Sequence, residues 1–213
     1  MNKSKIKICG IKDINTLDCC IRNKVDFFGL IFYKKSPRNI NIKDALHLIN
    51  YSKNKKIKSV GVFVNEPIDK LSLLLKKIKI NIIQLHGEED DGYISKIKKY
   101  NSVEIMKNIP IQNSADLLNI NNYPNADMFL FDYKPMKNEL PGGNSKQFSW
   151  ELLRNIKIDK PWFISGGINI ENINKINKFT IPYGIDISSG VEEKAGIKNN
   201  NKITSLIKSY GSI

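Results

Sequence analysis

Eight short runs, apolar or alternating, recur along the chain, and stretches of helical periodicity separate them. The runs cover residues 5–11, 26–33, 57–64, 82–86, 103–109, 128–133, 162–167 and 184–190. Lys5-Ile6-Lys7-Ile8 alternates charge and apolar side chain, the pattern of a strand buried on one face. Phe27-Phe28-Gly29-Leu30-Ile31-Phe32 is continuously apolar, the pattern of a strand covered on both faces. Residues 69–79 and 148–155 have helical character, and Ile203, Leu206, Ile207 and Tyr210 fall on one face of a closing helix. Asp13, Ser114 and Glu171 stand near expected helix starts, where an acceptor or a negative charge suits the free N–H groups.

Strict alternation of strand and helix predicts parallel strands joined by crossover helices. Eight such units, about 26 residues each, predict a single-domain (β/α)8 TIM barrel over residues 1–213. The rival is an open doubly wound sheet, but the first strand is not followed by G-x-G-x-x-G, and no linker divides the chain.

Composition narrows the function classes. The chain is 41% hydrophobic and 26% charged, as soluble globular proteins are. Its apolar runs fall short of the roughly 18 residues of a membrane span, and the MNKSKIKICG start lacks the apolar core of a signal peptide. Cys9, Cys19 and Cys20 follow no zinc-site spacing, so reduced thiols and a cytoplasmic location are expected, with no membrane partner. The net charge of +13 raises the question of nucleic acid. Apart from Arg22, Arg38 and Arg154, the basic residues are 31 lysines, beside 26 Asn and 35 Ile but only 4 Ala. That mixture follows AT-rich codons, and the lysines are dispersed, so no nucleic-acid partner is expected. A positive field would still draw in an anionic substrate.

In a barrel the chemistry collects at the C-terminal strand ends. Those positions here hold Cys9-Gly10, Arg38 after Ser36-Pro37, Gln84 and His86, Asp132, Ser165-Gly166-Gly167, and Asp186 with Ser188-Ser189-Gly190. Gly166, Gly167, Ser188, Ser189 and Gly190 form two adjacent turns, after the seventh and eighth strands, that suit a phosphate. A helix expected just after Gly167 would add its positive end. Arg38, behind a proline, suits bidentate recognition of a carboxylate. Asp132 follows three apolar residues, and burial raises a carboxyl pKa, which favours a general acid. Cys9 reads as a small core residue or as chemistry; in this company, thiol and carboxyl make a base and acid pair. His47, Trp150 and Trp162 read as helix surface and packing, and Lys53 to Lys58 as a solvated turn.

The segments KICGI, GLIFYKKSPRNI, VGVFVNEP, IQLHGEE, FLFDYKP, LPGGNSKQFSW, WFISGGINIENI and GIDISSGVEEKAGIK, in that order, resemble phosphoribosylanthranilate isomerases over nearly the whole chain. The resemblance implies a barrel that works without metal or cofactor, as monomer or homodimer, on a small phosphorylated substrate. The implied reaction is the Amadori rearrangement of N-(5-phosphoribosyl)anthranilate in tryptophan biosynthesis. By motif, Asp132 would be the general acid and Cys9, as thiolate, the general base. Modest lowering from the ordinary thiol pKa of about 8.5 would suit Cys9 to that task at neutral pH. Arg38 would hold the anthranilate carboxylate and the two turns the phosphate, while Gln84, His86 and Asp186 match pocket positions. A related barrel, of the indole-glycerol-phosphate synthase kind, would need a lysine at a strand end; Lys7 comes near to one. The chain departs from the family pattern at Gly142-Gly143-Asn144-Ser145, in place of Gly-Gly-Thr-Gly, and at Gly196-Ile197-Lys198-Asn199, in place of Gly-x-Lys-Asp.

Overall fold

Each apolar run becomes one stave of a closed barrel. The strands are β1 (Lys5–Cys9), β2 (Phe27–Ile31), β3 (Lys58–Phe63), β4 (Ile82–Leu85), β5 (Glu104–Ile111), β6 (Met128–Tyr133), β7 (Trp162–Ile164) and β8 (Gly184–Ile187). All are parallel and pair in chain order, and β1 closes on β8 through the register Lys7–Asp186. The computed structural model describes residues 3–136, 139, 142, 146–154 and 156–211. Gly143, Asn144 and Ser145 of the variant loop lie outside them.

Helices α1 (Ile14–Arg22), α2 (Ile42–Ser52), α3 (Ile68–Lys77) and α4 (Asp91–Tyr100) fill the first four crossovers, and α5 (Asn200–Gly211) closes the chain. Asp13 caps α1 as its position suggests: its Oδ1 accepts from the Thr16 N–H at 2.8 Å. The later crossovers correct the expectation of eight α-helices. Ser114–Asn122, Trp150–Leu153 and Ile173–Lys178 are 3₁₀ segments. Asn113, rather than Ser114, caps the first of these, in a reciprocal box with Asp116. Asn172, next to Glu171, starts the third without a side-chain cap. Asn and Ile recur in the first and third of these stretches; Asn side chains compete for backbone groups and Ile is stiff, so neither sustains a full α-helical ladder.

Two apolar clusters form the core. Phe27, Val60, Ile82, Met106, Met128, Leu130 and Phe163 pack inside the barrel. A larger cluster, including Ile6, Ile8, Phe28, Leu30, Ile83, Phe129, Phe131, Ile185 and Ile187, lies between the sheet and the surrounding helices. Strand side chains alternate between these two interiors, so every strand is covered twice. This revises the reading of β1. Ile6 and Ile8 face the helices, and Lys7, expected on a wet face, lies fully buried inside the barrel.

Candidate active site

Period two decides which strand-end residues reach the barrel mouth. Gln84 shares the inward face of Ile82, and Asp132 that of Met128 and Leu130. Cys9 and Lys7 share the face opposite Ile6 and Ile8, and Asp186 the face opposite Ile185 and Ile187. Loops at the C-terminal ends complete a cleft of two lobes. Cys9, Tyr33, Arg38, Gln84 and His86 line the first. Gly166, Gly167, Ile168, Ser189 and Lys146 line the second. Asp132, Ser165, Asp186 and Ser188 border both.

Cys9 is 6% exposed. It lies opposite Gly29 in the β1–β2 register, and a Cβ at Gly29 would stand 2.6 Å from its sulfur. The glycine is therefore the space in which the thiol sits. Burial pushes the Cys9 thiol above its ordinary range. The Lys7 ammonium and, more weakly, Lys198 pull it down, while Asp186 pushes it up. The net shift is upward, which corrects the expectation of a lowered thiol: low dielectric around the sulfur outweighs the cations.

Across the mouth, Asp132 Oδ1 accepts from the Tyr133 N–H at 2.8 Å, and Oδ2 lies 3.5 Å from His86 Nε2. The Gln84 amide nitrogen is 2.9 Å from His86 Nδ1. An amide nitrogen only donates, so Nδ1 accepts and the neutral ring carries its proton on Nε2, toward Asp132. Gln84 thereby fixes which face of His86 meets the carboxyl. Gln84 Oε1 and Asp186 Oδ1 are buried with no hydrogen-bond partner among the described residues. Both residues line the cleft, and buried acceptors are normally satisfied, so these oxygens suit the hydroxyls of a ligand.

Arg38 is buried, and its side-on edge is taken. Nε and Nη2 donate to Glu192 Oε1 and Oε2, both at 2.8 Å. With that edge paired, the end-on N–H groups of the fork are the ones left for a further acceptor. Glu192 begins a small hairpin, β9 (Glu192–Lys194) with β10 (Ile197–Lys198). Lys198 is buried within it and donates to Glu192 Oε1 at 2.7 Å and to the Ser188 carbonyl at 3.0 Å. Burial is the largest influence on Glu192 and opposes its charge, yet Arg38 and Lys198 hold its carboxyl below the ordinary range. Burial likewise lowers Lys198, against the pull of Glu192. Sequence reasoning missed this pair; its only signal lay inside the GVEEKAGIK segment.

The two small-residue turns meet as expected. Gly166 and Gly167 have φ of 91° and 62°, left-handed values that need no Cβ. Ser188 Oγ donates to the Cys9 carbonyl at 3.1 Å, which ties the β8 turn to the thiol strand. Gly190 lies outside the lining. A Cβ there would stand 2.0 Å from the Ile168 carbonyl oxygen, so Gly190 serves close packing of the two turns. The helix expected just after Gly167 is displaced: the next helical segment is the 3₁₀ turn at Ile173–Lys178. At the neighbouring turn after β8 a short 3₁₀ segment, Ser189–Val191, begins at Ser188, so the glycine turn and this segment border the second lobe together.

The remaining candidates fall away from the cleft. His47 is exposed on α2, and Trp150 and Trp162 are core. Behind His86, buried Lys107 donates to the Gly87 carbonyl at 2.6 Å and pairs with Glu89 at 3.2 Å, which anchors the loop after β4. Among the described residues no group of three or more His, Cys, Asp or Glu side chains could hold a metal ion. No described helix is long and apolar enough to cross a membrane.

Fold and cleft together define a (β/α)8 enzyme suited to acid–base chemistry on an anionic, hydroxyl-bearing ligand. The sequence model described as N-(5'phosphoribosyl)anthranilate (PRA) isomerase matches residues 6–209, and the chain belongs to that family. An N-(5'-phosphoribosyl)anthranilate isomerase of Paramagnetospirillum magneticum is 35% identical, over 96% of this chain and 95% of that protein. One of Caldanaerobacter subterraneus subsp. tengcongensis is 36% identical, over 96% of both. Among solved structures, phosphoribosyl anthranilate isomerase from Thermotoga maritima superposes with a TM-score of 0.85 at 29% identity, covering 99% of this chain and all of that one. A phosphoribosyl anthranilate isomerase in complex with reduced 1-(o-carboxyphenylamino)-1-deoxyribulose 5-phosphate gives 0.82 at 28% identity, with the same coverage.

Proposed function

We propose that the chain converts N-(5-phosphoribosyl)anthranilate to 1-(2-carboxyphenylamino)-1-deoxyribulose 5-phosphate, with Asp132 as general acid and Cys9 as general base. Asp132 protonates the ribose ring oxygen, and the ring opens to a Schiff base. Cys9, as thiolate, removes the C2 proton to give an enolamine. Return of a proton to C1 and loss of the C2 hydroxyl proton give the ketone, so the reaction is an isomerisation with no net loss of atoms. Arg38 holds the anthranilate carboxylate by its outer N–H groups. Gly166, Gly167, Ser188 and Ser189 hold the phosphate, and Gly190 lets their turns approach. Gln84 and Asp186 accept from sugar hydroxyls, and His86 orients the acid.

The observation that carries this reading is that a thiol and a carboxyl, on β1 and β6, line one lobe of a single cleft. An acid and a base are thus available to one opened sugar. The experiment is incubation of the purified protein with N-(5-phosphoribosyl)anthranilate and chromatographic separation of the two isomers. Saturable conversion is expected; substrate that decays only at its buffer rate would overturn the assignment.

A further inference from the structure

Lys7 is a buried charge beside the site that this chemistry leaves without a task. It is fully buried, among the largest side chains of the interior to be so. A lysine there bears a desolvation cost that an apolar residue of its size would avoid. Its ammonium donates to Asp186 Oδ2 at 2.8 Å, across the β1–β8 seam. That pair leaves Asp186 Oδ1 buried and unpartnered beside the cleft. Lys7 is also two residues before Cys9 on the same inward face of one strand, so the two side chains are neighbours in the barrel interior.

We propose that Lys7 is a positioning residue for the reaction: held by Asp186, its ammonium stabilises the thiolate form of Cys9 from inside the barrel. The inference rests on Cys9 acting as the base. The charged groups that act on the sulfur are Lys7 from β1, Asp186 from β8 and Lys198 from the β9–β10 hairpin. β2 contributes only the space at Gly29. Lys7 acts on Cys9 as a charge, and it is the strongest of these groups. Burial works against the Lys7 charge, but Asp186 and Cys9 together more than offset it, so the ammonium persists through the working pH range.

The test needs no turnover. Alkylation of Cys9 by iodoacetamide is followed against pH in the ligand-free protein, with the modified cysteine mapped by mass spectrometry to separate it from Cys19 and Cys20. Lys7→Met is expected to shift the titration upward by about 1 unit or more, which slows alkylation roughly tenfold at a fixed pH on the rising limb. Lys7→Arg, which keeps the charge, should restore most of that shift. Lys7→Met leaves Asp186 buried and unpaired, so the Lys7→Met/Asp186→Asn double variant serves if the single variant fails to fold. With both charges gone its titration should still lie above that of the parent, because Lys7 outweighs Asp186 at the sulfur. A parental alkylation profile in the folded Met variant, or in the double variant, would overturn the proposal, as would an Arg variant that behaves like Met. Activity that survives Cys9→Ser would instead remove Cys9 as base, an outcome the alkylation comparison does not share.

Discussion

At Gly29 a single missing methyl group decides whether the proposed base has a place. A Cβ there would stand 2.6 Å from the Cys9 sulfur and 3.0 Å from its Cα. Gly29→Ala must therefore move the thiol or its strand by several tenths of an ångström. Misplacement on the ångström scale costs reactions about 10²-fold. Steady-state kinetics of Gly29→Ala should show kcat reduced about 10²-fold, with circular dichroism unchanged; parental kcat would show that the sulfur's position is unimportant. Cys9 and Asp132 were legible in the sequence because both end strand-like runs in a barrel pattern. Lys7 was not. Alternation says that Lys5 and Lys7 share a face, but the same pattern describes a solvated face and a polar barrel interior. Arg38 was legible as a guanidinium fork at the barrel mouth, but Glu192, 154 positions away, takes one edge of that fork, and no local pattern reports a contact at that separation.

Between the elements, the β9–β10 hairpin acts as a strap over the end of β8. Glu192 fixes Arg38, Lys198 fixes Glu192 and Ser188, and Ser188 reaches the Cys9 carbonyl. One buried carboxylate thus links the proposed carboxylate and phosphate ends of the cleft. Its depressed pKa gives the sign of a pH effect. The ionised Glu192 contributes stability above the ordinary carboxylate range of about 4.3, and that contribution is lost as pH falls through its lower folded value. Urea unfolding should find Glu192→Gln weaker than the parent by roughly 2 kcal/mol at pH 7, a difference that shrinks on acidification below about pH 4. Its KM should rise, since Arg38 loses its restraint. A pH-independent difference would assign the loss to packing alone. The strands were legible because a doubly covered barrel strand is a continuous apolar run. The helices after β5, β6 and β7 were overestimated because 3₁₀ and α segments share apolar spacing over four to nine residues.

For the molecule as a whole, the order of its motifs was more informative than any one of them, and the order carried both fold and family. Composition carried less: the +13 charge reflects lysines dispersed over many segments of the chain. That charge predicts a kinetic effect rather than a nucleic-acid partner. If the field steers a phosphorylated, carboxylated substrate, kcat/KM should fall several-fold between about 0.05 and 0.5 M salt while kcat holds steady. A salt-independent kcat/KM would mean that only the local cleft charges matter. The claim that joins all three levels is that one thiol and one carboxyl act as base and acid at the mouth of this barrel. The direct measurement is conversion of N-(5-phosphoribosyl)anthranilate by Cys9→Ser and Asp132→Asn beside the parent protein, with folding confirmed for each. The account predicts that kcat falls about 10²- to 10⁴-fold in both variants. Parental kcat in either would contradict it.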